Sequence, residues 1–310
     1  VAANQWVLIL LLTIGLGVFT GLINDRFFNP RNLISILEQS SVLGLVAAGA
    51  TILIISGNFD ISVGAIIGLA AVVMAMIVLA GYPEEVAMLA GLLVAIGCSI
   101  VNAALARLFQ APTFIVSLAT AGIFTGMALA LTEGIIRLVP SNFTFFSGTR
   151  LLDALPLIFL ISLLGYVAVG ILLRFTRLGR RTYAIGDNPR AAFLAGIDVS
   201  RTTVLLFAIN GLLVGVAAIM LISRIGSALP STGAGLELRA IGAVVIGGVP
   251  ITGGRGGVVG TFFGVLLLGV ISNMLNMLRI NPFLQEIAFG ALIVLAIGIS
   301  WLRTKVASDR

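Results

Sequence analysis

Long apolar blocks alternate with short polar breaks along the chain, and the blocks are too uniformly apolar to be single faces of soluble helices. A membrane span needs roughly 20 apolar residues. Ten blocks predict spans: Trp6–Ile23, Ser41–Ser56, Ile61–Ala80, Val86–Leu105, Thr113–Leu131, Ala154–Leu173, Val204–Ser223, Leu238–Ile251, Val258–Met277 and Phe283–Leu302. The eighth is short and rich in Gly, which predicts a broken or re-entrant segment. The main polar break runs from Arg174 to Thr203 and holds a small helix written at both ends. Asn188 is a good N-cap, Pro189 suits the first helical position, and Gly196 can supply the left-handed residue after the last turn. Residues 189–195 then make about two turns, ~10 Å long. A helix this short does not hold itself in water. A membrane surface or another protein must complete it.

Composition agrees with the pattern. Hydrophobic residues are 59% of the 310 and charged residues 10%, and the mean hydropathy is +1.19. A soluble domain carries about 25% charge. The fold class is therefore all-α: a polytopic integral membrane protein of about ten helices, one transmembrane domain over residues 1–310. The +6 charge includes a single Lys, Lys305, and is scattered between apolar runs. That reads as topology against a lipid bilayer, with no nucleic-acid partner. With the N-terminus cytoplasmic, eleven basic residues fall inside, six of them in 174–203, against seven outside. This orientation satisfies the positive-inside rule, puts both termini and the small helix in the cytoplasm, and leaves residues 132–153 as the longest outer loop. The stretches Gly49–Gly64 and Gly242–Gly257 match in length and in their place between spans, a faint sign of a parallel internal repeat.

Catalytic chemistry is hard to find. There is no His, the one Cys is Cys98, and no phosphate-binding G-x-x-x-x-G-K-[ST] motif occurs. This predicts no enzyme, no metal site and no cofactor in this chain. Mid-span residues are neutral and polar, among them Asn102, Thr120, Asn210, Asn273 and Asn276. Each alone suits an interhelical hydrogen bond; together, with the ring faces of Phe59 and Phe114, they suit a pathway for an uncharged, hydroxyl-rich solute. Asp60 carries two readings. It can cap the span that follows it, or it can latch an inner gate by pairing with Arg255, which the faint repeat places at a similar depth.

The segments ISGNFDISVGA (55–65), IGDNPRAAFLAGIDV (185–199), GAGLELRAIGAVVIGG and TGGRGGVVG resemble the permease subunits of bacterial ABC importers of the ribose, xylose and galactoside type. The resemblance spans nearly the whole chain. It implies that the helix at Asn188, Pro189, Arg190, Ala191, Ala192, Phe193, Leu194 and Gly196 is a coupling helix seated on a cytoplasmic ATPase. The family pattern E-A-A-x-x-x-G is met at Ala191, Ala192 and Gly196 but not at Arg190, which stands where Glu is usual. The resemblance further implies that ATP and Mg²⁺ bind the ATPase subunit and an extracytoplasmic sugar-binding protein delivers solute. It also implies a second permease copy and a place in the bacterial inner membrane. The contrasting reading is an ion-coupled carrier or facilitator of a neutral polar solute, in which 174–203 is only a positive loop on anionic lipid.

Overall fold

The computed structural model describes residues 5–139, 143, 145–151 and 155–308. Its helices are α1 (Gln5–Ile23), α2 (Pro30–Ile55), α3 (Val63–Leu79), α4 (Glu84–Leu108), α5 (Thr113–Thr132), α6 (Phe145–Gly148), α7 (Leu157–Phe175), α8 (Arg177–Asp187), α9 (Pro189–Leu194), α10 (Val199–Ile225), α11 (Leu236–Ile246), α12 (Val258–Met277) and α13 (Pro282–Ser308). Seven of these, α1, α2, α4, α5, α7, α10 and α12, are long and apolar enough to cross a membrane, and α3 is a shorter apolar helix. The polytopic helical class read from the pattern is the fold.

The bundle is built around α2. Asn29 caps it by accepting from Arg31 N at 3.0 Å, and Pro30 supplies a first turn with no stray donor. From residue 40 to residue 55 every position is buried. A helix buried on all sides needs small residues where neighbours cross closely, and α2 supplies Gly44 and Gly49. A methyl at Gly49 would strike Asn210 of α10, and one at Gly44 would meet Ser162 of α7 at 2.7 Å. Helices α7, α10, α11 and α12 pack on this pillar, and α10 in turn lies along α4. By contrast α1 touches chiefly α12 and leaves Leu11, Leu12, Phe19 and Leu22 exposed, a surface for lipid.

One expectation is met and one is corrected. The block Leu238–Ile251 is broken, as its short length and Gly content predict. Helix α11 has 11 residues, about 16 Å, half of the ~30 Å apolar core. It stops because Gly248, Gly253, Gly254 and Gly256 take positive φ and turn the chain back toward α12. Its start is also sunk into the bundle: the carbonyls of Pro230 and Gly233 lie over Gly68 and Gly64 of α3, where any side chain would collide. The correction concerns the polar break, where a helix unread in the sequence, α8, precedes α9. Thr176 caps α8 by accepting from Gly179 N at 3.1 Å, and Gly179, Thr182 and Ile185 face inward while Arg177, Arg180 and Arg181 are exposed. Propensity hid α8, because Gly179 and Gly186 break the periodicity of so short a segment.

At the opposite end of the bundle, the described residues between 133 and 156 form small local structure. Strand β1 (Arg137–Leu138) pairs antiparallel with β4 (Ser227–Ala228), and β2 (Arg150–Leu151) with β3 (Leu155–Pro156). Ser147 donates to the Ser223 carbonyl at 2.8 Å and ties α6 to the end of α10. Residue 154, the expected start of the sixth span, lies outside the described residues; α7 begins at Leu157.

Candidate functional site

The polar residues read from the spans do not form one pathway; they divide into separate groups. Asp60, Asn102, Thr120 and Asn210 come together in a buried network between α2 and α3. Two pairs three residues apart, each sharing a helix face, contribute to it: Ser99 and Asn102 on α4, Ser117 and Thr120 on α5. Asp60 Oδ1 accepts from Ser62 N at 3.0 Å, Ser62 Oγ at 2.6 Å and Asn102 Nδ2 at 3.2 Å. Oδ2 accepts from Ser99 Oγ at 3.3 Å and Asn210 Nδ2 at 3.2 Å. Thr120 donates to Asn102 Oδ1 at 2.6 Å and fixes which way that amide points. Ser117 Oγ accepts from Ile61 N at 2.9 Å, and Thr113 Oγ1 accepts from Phe59 N at 3.1 Å. Asp60 is 6% exposed. A buried carboxylate survives only when fully hydrogen-bonded, and here five donors from the loop, α4 and α10 fill it.

The expected pairing of Asp60 with Arg255 is not present: Arg255 is exposed in the 247–257 turn, and the partners of Asp60 are all neutral. The bond from Ser62 N satisfies a free donor at the start of α3, as a cap would, but the network extends well past capping. A small cavity beside the carboxylate, about 10 Å³, is lined by Phe59, Asp60, Asn210 and Glu237 among others. Asn210 Oδ1 and Glu237 Oε2 are buried there without a protein partner.

Asn273 and Asn276 lie elsewhere, on α12. Asn273 and Asn32 exchange amide hydrogen bonds at 2.7 and 3.1 Å, joining α12 to the start of α2. Asn276 accepts from Gln285 of α13 at 3.0 Å. Both act as ties between helices. Phe59 is half-buried against the core, whereas Phe114 is 45% exposed on the outer face of α5.

The segment α8–α9 forms a second structural unit. Asn188 caps α9 by accepting from Ala191 N at 3.0 Å, and Gly196, at φ +82°, closes it: Gly196 N donates to the Phe193 carbonyl and Ile197 N to that of Ala192. Ala192 is buried against its own chain, so its small size serves packing within the subunit. Arg190, Ala191, Phe193 and Leu194 face outward, with Phe193 68% and Leu194 84% exposed. Behind α9 the backbone makes a three-way junction. Gly254 N donates to Ile55 O at 2.8 Å, and Gly186 of α8 sits over both of those groups. Tyr183 donates to Gly256 O at 2.9 Å; burial pushes its phenol above the ordinary tyrosine value, so it remains a donor at neutral pH. The stretches 49–64 and 242–257 thus lie against each other, and just beyond the second stretch the Thr261 hydroxyl of α12 lies 2.9 Å from that of Thr51. Neither α8 nor Tyr183 stood out in the sequence, and only the Gly content of 253–257 hinted at close backbone contact.

A bundle of long apolar helices, a broken helix packed on its central pillar and a capped surface helix with bare apolar residues are the parts of a polytopic membrane protein. Residues 32–297 match the family described as branched-chain amino acid transport system / permease component, and the chain belongs to that family. It is similar to the ribose import permease of Bacillus subtilis, 36% identical over 90% of this chain and 88% of that protein. Similar too are the fructose import permease of Rhizobium meliloti (33%; 99% and 87%) and the D-allose transport permease of Escherichia coli (33%; 95% and 91%). These relatives are permeases and not enzymes.

Proposed function

We propose that the chain is the membrane-spanning subunit of an ATP-driven importer for a monosaccharide. In this reading α9 docks on a separate cytoplasmic ATPase that binds ATP and Mg²⁺. A sugar-binding protein delivers solute at the end of the bundle carrying residues 133–156. Two permease copies sit in the bacterial inner membrane with both termini cytoplasmic. The observation that carries it is the similarity over at least nine-tenths of the chain to permeases named for ribose, fructose and D-allose. The exposed Phe193 and Leu194 on a helix too short to stand alone add a docking face.

Leu194→Glu tests the docking. Burying Leu in a partner is worth about 1.5–3 kcal/mol, and a carboxylate in its place adds a desolvation cost of several kcal/mol. Because Leu194 touches little of its own chain, the variant should reach the membrane in normal amount. It should fail to retain the ATPase on purification and lose sugar uptake. Retention of the ATPase with normal uptake would overturn the docking role of α9.

A further inference from the structure

A cleft of about 540 Å³ lies between the end of α7, the start of α12 and α8. Its size falls within the roughly 300–1,000 Å³ of clefts that hold small molecules. Val167, Ile171 and Phe175 form one wall, spaced along a single face of α7, and Val259 of α12 also lines it. All four are exposed, so the cleft opens on the outer face of the bundle. Its floor is close-packed: a methyl at Gly170 would lie 3.3 Å from the Val258 side chain. Arg174 and Tyr183 line its polar end. We propose that this cleft holds an anionic phospholipid, an acyl chain in its apolar part and the phosphate on Arg174.

The charge at the polar end is uncompensated. Arg174, Arg177, Arg180 and Arg181 sit at and just beyond the last turn of α7, and no Asp or Glu occurs from Leu157 to Gly186. None of these Arg forms an ion pair among the described residues. A basic cluster directly after a membrane span attracts anionic headgroups. The Arg174 guanidinium lies 5.5 Å over the Phe175 ring, which holds it beside the cleft wall. Tyr183 is anchored at the rim by its bond to Gly256 O, and such amphipathic rings favour the level of the headgroups. Helix α1 makes the contrast. It exposes apolar residues too, yet it carries no basic residue, so lipid meets it without a headgroup partner.

Only the leaflet rests on the permease reading: with residues 174–203 cytoplasmic, the lipid belongs to the inner leaflet. Other occupants fit the cleft less well. A soluble ATPase could meet the arginines but not Val167 and Ile171, which lie within the apolar length of α7. A second copy of the chain, paired about a twofold axis, would set the same patch on both subunits and bring the Arg clusters toward each other. A phosphate ion without tails would leave the apolar walls bare. A phospholipid meets the walls and the charge together.

The test uses the full chain purified with its ATPase in detergent, stripped of native lipid. It is then given equal amounts of dioleoyl phosphatidylglycerol and dioleoyl phosphatidylcholine, and native mass spectrometry counts what stays bound. The wild type should retain phosphatidylglycerol severalfold over phosphatidylcholine. Arg174→Gln should remove most of that preference, and Arg174→Lys should keep it. Val259→Trp, at an exposed position, should fill the cleft and lower retention of both lipids, whereas Leu12→Trp on α1 should behave as the wild type. Membrane yield and ATPase co-purification should be normal in all four variants. Equal retention of the two lipids by the wild type would remove the site and leave the permease reading intact. So would wild-type binding in both Arg174→Gln and Val259→Trp. Loss of the ATPase from Arg174→Gln with the lipid preference unchanged would assign the arginines to the ATPase and overturn the lipid. A disulfide-linked dimer of Ile171→Cys in membranes, absent from the wild type, would give the wall to a second copy and overturn it as well. A wild-type preparation without any ATPase would count against the docking of α9 alone, because the lipid count can still be read on the chain by itself.

Discussion

Asp60→Asn should damage this protein, although Asn caps a helix about as well as Asp. The reason lies in the count of donors. Asp60 accepts five hydrogen bonds, three on Oδ1 and two on Oδ2, and gives none. An amide keeps one oxygen and turns an NH₂ toward two of those donors. Each buried donor left unsatisfied costs about 1–3 kcal/mol, so the loss is roughly 2–5 kcal/mol. It falls toward the lower end if Ser99 rotates its hydroxyl or the Asn210 amide flips, presenting the oxygen that now lacks a partner. Asp60→Ala abandons all five donors and should be worse, at the upper end of what single buried changes do, about 4–5 kcal/mol. The assay is thermal unfolding of the purified permease in detergent, read with membrane yield and uptake. The order should be wild type, then Asp60→Asn, then Asp60→Ala, and Arg255→Gln should leave stability unchanged because Arg255 is exposed and unpaired with Asp60. Wild-type stability and uptake in Asp60→Asn would refute the five-donor account. A double variant, Asp60→Asn with Arg255→Gln, should lose no more or less than the two singles together; non-additivity would restore a link between them.

Two more outcomes can be checked directly. With the half-buried Cys98 the only native thiol, a cysteine replacing exposed Arg190 should be labelled by an impermeant reagent only in broken cells. One replacing Tyr82, 61% exposed, should be labelled in intact cells; the reverse pattern would invert the orientation. Gly186→Ala places a methyl 2.6 Å from Gly254 N, with backbone that cannot yield cheaply, and should cost about 1–3 kcal/mol. Tyr183→Phe, which loses only one bond, should cost about 0.5–1.5 kcal/mol; equal, negligible shifts in unfolding temperature for both would mean the junction is loose.

Apolar block length sufficed to read most of the architecture, because a backbone in lipid must satisfy itself within a helix. The caps of α9 were equally legible, since Asn188, Pro189 and Gly196 each act through local geometry. What stayed hidden depended on contacts between distant segments. Asn102, Thr120 and Asn210 were visible as polar residues in spans, but only the fold shows that they surround Asp60 while Asn273 turns to Asn32. The same holds for Ala192, whose small side chain is turned toward its own chain, not outward.

The junction of Gly186, Ile55 and Gly254 has a consequence for engineering. Its core is main chain, so apart from the Tyr183 hydroxyl no side chain exists there whose replacement could loosen or retune it gradually. A hybrid permease that takes its cytoplasmic segment from a relative, in order to work with that relative's ATPase, must match three surfaces at once. Residues 174–203 should therefore be moved as a set with 53–60 and 247–257. Exchanging the exposed residues of α9 alone leaves that interlock untouched, and so offers the narrower route to a changed motor.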